Sequence, residues 1–117
     1  MSWRPLADLA AEMAEPLGQP SHRAMMGGAT LYCDGIAYAI VADDALWFKA
    51  DGETDGAWDA AGAPRFTMTR KDGSVAGMNY RRAPEDVYDD PDAFRRWAVL
   101  ALEAGRRAAA KKPRRQR

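Results

Sequence analysis

ATLYCDGIAYAIVADDALWFKA, residues 29–50, is the stretch that decides the fold. It holds three short apolar runs separated by Asp34-Gly35 and Asp43-Asp44. Asp-Gly between β-forming residues is a strong hairpin signal. Leu46 and Phe48 alternate with Trp47 and Lys49, the period of a half-buried strand. The stretch therefore predicts a three-stranded antiparallel meander. Strict alternation puts Ile36, Tyr38 and Ile40 on one face of the middle strand, and Ala37, Ala39 and Val41 on the other. A sheet apolar on both sides needs two covers. Helices are expected on one face, and a second copy of the chain or another protein partner on the other.

The flanking segments supply the helices. Leu6, Leu9, Ala10, Met13, Ala14 and Leu17 recur at helical spacing, with Asp8, Glu12 and Glu15 off that stripe. Pro5 suits a first turn and Gly18 with Pro20 a stop, so an amphipathic helix is predicted over residues 5–16. DGETDGAWDAAGAP, residues 51–64, reads as a connection with one short helical turn near Trp58. RFTMTRKDGSVAGMNYRR, residues 65–82, reads as a second hairpin. Phe66 and Met68 share a face, Lys71-Asp72-Gly73 turns, and the chain returns through Met78 and Tyr80. Asp90 can cap a last helix whose first residue is Pro91. Phe94, Trp97, Ala101, Ala104 and Ala108 form its apolar stripe, Glu103 stands four residues before Arg107 for an ion pair, and Pro113 ends it. The order predicts an α+β fold: an antiparallel sheet of about five strands with N- and C-terminal helices packed on one face.

RAMMGGATLYCDG, residues 23–35, poses a separate question. A phosphate loop needs its glycines between a strand and a helix, so that helix N–H groups point at the anion. A helix and a short linker precede Gly27-Gly28, and a strand follows. A bulge or a close approach of another segment is the expected reason for the pair.

At 117 residues the chain has the size of one small domain. Its net charge of zero hides an asymmetry. Residues 1–105 hold ten Arg and Lys against seventeen Asp and Glu, a net of −7. Residues 106–117 hold seven cations and no acid: Arg106, Arg107, Lys111, Lys112, Arg114, Arg115 and Arg117. The expected organisation is a globular domain over 1–105 and a basic, disordered tail over 106–117. Such a tail is a candidate arm for DNA or RNA phosphates, set against the plain alternative of a solvated terminus. No apolar run approaches the ~20 residues that span a bilayer, so no membrane partner is expected. MSWRPLADLAAEMAEP carries acids where an export signal is apolar, and Cys33 is the single cysteine. Both point to a reducing cytoplasm.

Catalytic chemistry finds little footing. His22 is the single histidine and has no Ser, Cys or acid at a recognisable motif spacing. Cys33, in a predicted strand, reads first as a small buried hydrophobe. Asp43-Asp44 reads as a turn and Asp90 as a helix cap, and the acidic residues match no metal-loop pattern. No catalytic residue, cofactor or metal is expected. Trp47 shares a strand face with Lys49, so a partly exposed aromatic beside a cation is expected there.

Taken together, these motifs resemble the TfoX N-terminal domain family, also called Sxy-like. Met25, Gly27, Gly28, Tyr32, Gly35 and Lys49 match its signature region, with Met26 where Phe is usual. Pro64, Phe66, Met78, Tyr80, Pro84 and Glu85 match its later strands and the step into its closing helix. The resemblance covers about residues 5–108. It implies an α+β regulatory domain linked to transcriptional control of competence genes, acting through protein contacts, with no established catalytic residues to carry over. The alternative is a small-ligand or enzymatic domain with a pocket near Gly27-Gly28, Tyr38 and Lys49. A cavity uniting those residues is its signature.

Overall fold

Short apolar runs and two-residue turns build an antiparallel sheet, and two amphipathic helices close one side of it. The computed structural model describes residues 2–25 and 27–111. Helix α1 spans Arg4–Ala14 and tightens into a 3-10 turn, Glu15–Leu17. Strands follow at Pro20–Met25 (β1), Gly28–Cys33 (β2), Ile36–Ala42 (β3) and Ala45–Lys49 (β4). Then come α2 at Asp55–Ala60, β5 at Arg65–Thr69, β6 at Val75–Arg82, a 3-10 turn at Glu85–Tyr88, and α3 at Pro91–Lys111. The described strands form one sheet in the order β1-β2-β3-β4-β6-β5, each neighbouring pair antiparallel.

The sheet has six strands where the sequence predicts about five. The extra one is β1, which the sequence presents as a linker. PSHRAM lacks apolar alternation, and its residues from Ser21 to Met25 are exposed. Pairing with β2, in register from Pro20↔Cys33 to Met25↔Gly28, makes it an edge strand. The glycine pair is the hinge of that hairpin. Gly27 takes φ +72°, and a Cβ on Gly28 would run into the Val41 carbonyl oxygen of β3. The pair thus serves one turn and one close backbone approach, with no helix following it.

The two meander turns form as predicted. Asp34 and Gly35 take φ +52° and +77°, and Asp43 and Asp44 take +52° and +58°. Positive φ at both positions matches the right-handed twist of the flanking strands. The facing of β3 differs from strict alternation. Leu31 pairs with Ala39 and Tyr32 with Ala37, which leaves Tyr38 as an unpaired bulge residue. Ile36, Tyr38, Ala39 and Val41 therefore all join the helix-side core, while Ile40 faces the other side.

The main core lies between that face and the helices. Tyr38, Phe48, Trp58 and Phe94 are at most 1% exposed and touch ring to ring. Small residues bring α3 close to the sheet: a Cβ on Gly105 would lie 2.5 Å from the Ala37 carbonyl oxygen. Asp90 caps α3 as predicted, its Oδ1 accepting from the Asp92 and Ala93 N–H groups at 3.0 and 3.3 Å. The expected boundary at residue 105 falls inside this helix. Arg106, Arg107 and Lys111 belong to its last turns, because no breaker interrupts the alanine-rich run before Pro113. Lys112, Arg114, Arg115 and Arg117 lie outside the described residues.

The two glycines make separable demands, which substitution resolves. Gly28→Ala is expected to cost about 3 kcal/mol, since a methyl must displace backbone. Gly27→Ala has open space around it and is expected to cost only about 1 kcal/mol for its positive φ. Urea denaturation of both variants checks the order; a Gly27 variant as damaged as the Gly28 variant would refute the close approach.

Candidate functional site

The face of the sheet away from the helices carries the chemistry that the helix side lacks. Register pairs Arg23 with Thr30, Thr30 with Ile40, Ile40 with Trp47, and Trp47 with Arg82. Directly opposed residues share a face, so this is one row across five strands with an arginine at each end. Ile40, Ala45, Trp47, Phe66 and Tyr80 form a second apolar cluster beneath it. Trp47 is 8% exposed, not partly exposed as its shared strand face with Lys49 suggests. Phe66 packs edge-on at 5.0 Å, the Arg82 guanidinium lies 5.6 Å from the Trp47 ring, and the indole N–H donates to the Ala42 carbonyl at 3.0 Å. The Lys49 ammonium sits likewise 5.0 Å from the ring of Tyr80. Around this layer Met25, Met68 and Met78 stand about 40% or more exposed. The cross-strand row of arginines is not visible in the sequence. It requires the register, and the bulge at Tyr38 hides the register.

A second basic region lies at the end of α3. Arg107 does not take Glu103, the partner its helical spacing suggests. Its Nε and Nη2 donate to the two carboxylate oxygens of Asp51 at 2.6 and 3.1 Å, and Glu53 lies 3.4 Å away. This fork holds the Asp51 carboxyl below the usual range, helped by the Thr54 N–H and hydroxyl and opposed by partial burial. Arg106 and Lys111 are exposed. Of the seven predicted phosphate contacts, one is therefore already committed to a carboxylate.

The remaining candidates have structural roles. His22 lies on the exposed edge strand with its ring edge-on to Trp3 at 5.1 Å. Cys33 is 2% exposed, and burial, then the Asp34 charge, push its thiol up, with Arg106 opposing. Asp34 Oδ1 accepts from the Gln19 N–H at 2.8 Å, tying β1 to the first turn. Among the described residues, no three His, Cys, Asp or Glu side chains converge as a metal site. None of the described helices is long and apolar enough to cross a membrane.

The ligand pocket of the alternative reading does not assemble. Tyr38 lines a cavity of about 190 Å³ beneath α1, together with His22 and Leu31. Lys49 lines another of about 240 Å³, between Tyr32 and the Gly105–Ala109 end of α3. Neither includes Gly27 or Gly28, and both are smaller than the ~300 Å³ at which ligand sites begin. A more open groove of about 380 Å³ runs between α2 and α3 over Trp97 and Leu100.

The motif residues are mostly turn and packing positions. Gly27, Gly28 and Gly35 serve backbone geometry, Phe66 and Tyr80 build the second cluster, and the Pro64 carbonyl accepts from the Arg82 N–H at 2.9 Å. Met25 and Tyr32 stand on the open face, Met25 taking a 3.4 Å contact from the Thr30 hydroxyl. Pro84 and Glu85 start the 3-10 turn before α3. The TfoX N-terminal domain profile matches residues 12–105. The chain belongs to that family. It is also 31% identical over 90 residues to the DNA transformation protein TfoX1 of Aliivibrio fischeri, across 77% of this chain. The chain spans 43% of the length of that relative.

Two outcomes follow from the electrostatics. Native Cys33 is expected to react with a disulfide reagent at pH 8 at least about tenfold more slowly than in guanidinium, where burial is lost. Equal rates would place the thiol at the surface. Asp51 has a lowered carboxyl, so the clasp stabilises the fold above the unfolded carboxylate value of about 3.9 and is lost as pH falls through its folded value. Arg107→Leu is expected to return Asp51 toward that ordinary value in an NMR titration of side-chain carboxyls; no movement would mean the pair is absent in solution.

Proposed function

We propose that this TfoX N-terminal-type domain is a non-enzymatic regulatory module of the cytoplasm that works by contact with macromolecules. The observation that carries the reading is the open sheet face. It is apolar enough to form its own cluster, rimmed by cations and exposed methionines, and covered by neither α1 nor α3. The named relative supports a role in the control of DNA transformation, the process its name records. Contacts with protein fall to the sheet face, and contacts with nucleic acid to the basic run that continues from α3.

The nucleic-acid half of the reading is tested by fluorescence anisotropy with duplex and single-stranded DNA across a salt series. With Arg107 held by Asp51, six cations of residues 106–117 remain for phosphates. Duplex binding by all six is expected to give a log–log salt slope of about −5. Changing Lys112, Arg114, Arg115 and Arg117 together to Gln leaves α3 as it is and is expected to make the slope shallower by about 3 to 4. Negligible binding by both proteins would remove the nucleic-acid arm and leave the sheet face as the working surface.

A further inference from the structure

The six strands contain five Arg and Lys residues and no Asp or Glu, although the chain has as many acids as bases. Every acid lies in a helix, a turn or a loop. Two of the strand cations are used on the helix side. Buried Arg81 binds Asp55 and Asp59, and Arg65 lies 3.7 Å from Asp55. The face away from the helices keeps Arg23 and Arg82 at the ends of one row, with Lys49 beside it. Among the described residues, neither Arg23 nor Arg82 has a carboxylate within ion-pair distance.

We infer that this face is a docking surface for an acidic amphipathic segment of another protein, its apolar residues on the Met25, Met68 and Met78 surface and its carboxylates on Arg23 and Arg82. The inference rests on the contact-module reading and names the chemistry of the protein partner. Three observations select this occupant. A second copy apposed through the same face would bring strand cations against strand cations, with no acid in any strand to pair them. A single-stranded nucleic acid would need several exposed rings for its bases, but Trp47, Phe66 and Tyr80 are each 8% exposed and Tyr32 is half-buried. The most exposed large apolar groups of the face are the unbranched Met25, Met68 and Met78, which adapt to varied apolar partners. Geometry adds a constraint. The two arginines are four strand spacings apart, about 19 Å. Carboxylates that reach both are about six residues apart in an extended segment, or about thirteen apart in a helix.

The experiment is selection of a displayed random-peptide library on the full chain, followed by titration of the synthetic consensus peptide. The expected consensus combines Asp or Glu with large apolar residues. Its affinity is expected to fall at least about tenfold with Arg23→Glu and again with Arg82→Glu, and to weaken with salt. Arg23 lies on an exposed edge strand, so its variant keeps the test valid if Arg82→Glu disturbs the packing over Trp47. The consensus peptide is expected to bind the Lys112, Arg114, Arg115 and Arg117 glutamine variant unchanged, which separates this outcome from that of the DNA measurement. No consensus, a consensus without acids, or binding indifferent to both arginine variants would overturn the inference. So would self-association by sedimentation that Arg23→Glu abolishes, or oligo(dT) binding that Arg23→Glu abolishes and the glutamine variant retains.

Discussion

One unpaired residue sets the architecture. Tyr38 is skipped between the Leu31↔Ala39 and Tyr32↔Ala37 pairs, and a one-residue offset in a strand exchanges its two faces. Before the bulge Ile36 points to the helices; after it Ala39 and Val41 do, and Ile40 is sent to the other side. Without the offset, Ile40 would enter the helix core and the alanines would line the far side. The bulge therefore decides where the row through Thr30, Ile40 and Trp47 lies, and with it where both terminal arginines point. It also seats Tyr38 among Phe48 and Phe94, at ring distances of 6.3 and 6.5 Å.

Two further contacts fix the layers around that strand. On one side, Gly105 lets α3 close on the backbone at Ala37, so the helix packs on β3 through small residues and not through long ones. Further along the same side, Arg81 ties α2 to β6. It is 3% exposed, and its guanidinium donates to Asp59 at 2.8 Å, to the Ala63 carbonyl at 2.9 Å and to Asp55 at 3.1 Å. Its Nε has no partner among the described residues. Pairs of this kind offset a desolvation cost with Coulomb attraction and add little net stability, but removal of one member costs about 3 to 5 kcal/mol. The contact acts chiefly to set where the short α2 sits, which places Trp58 between Phe48 and Trp97 at centroid distances of 5.7 and 4.4 Å.

Much of this was legible locally. Asp34-Gly35 and Asp43-Asp44 specify their turns through residues that tolerate positive φ, and Asp90-Pro91 specifies a helix start. What was not legible depends on partners far along the chain. PSHRAM has no alternation of its own and becomes a strand only because β2 offers an edge. The bulge within GIAYAIV leaves no composition signal, so strict alternation misassigned Ala39, Ile40 and Val41. Arg81 and Arg82 are neighbours in sequence, yet one is buried and the other lies exposed over Trp47; acids from α2 decide between them. Arg107 had a plausible partner four residues away in Glu103 and took Asp51, 56 residues away. A loop carboxylate already ordered by the Thr54 N–H and hydroxyl offers a planar fork to the guanidinium. The longer, solvated Glu103 side chain would have to give up rotamer freedom to present the same fork.

The zero net charge is physically uninformative here because the charges are separated by layers. Exposed charges are screened over about 8 Å at physiological salt, so each acid acts mainly on its near neighbours. The loop acids Asp51 and Glu53 pair with Arg107 and, among the described residues, form no ion pair with Arg23 or Arg82. They act instead on what is near them, which is the end of α3. The Asp51–Arg107 fork pins the last described turns of α3 to the loop before α2, on the helix side of the sheet. The row that ends in Arg23 and Arg82 lies on the other face of the sheet from the end of α3. A partner on the sheet face and a nucleic acid on the C-terminal run would use different residues, and each would meet its own set of cations.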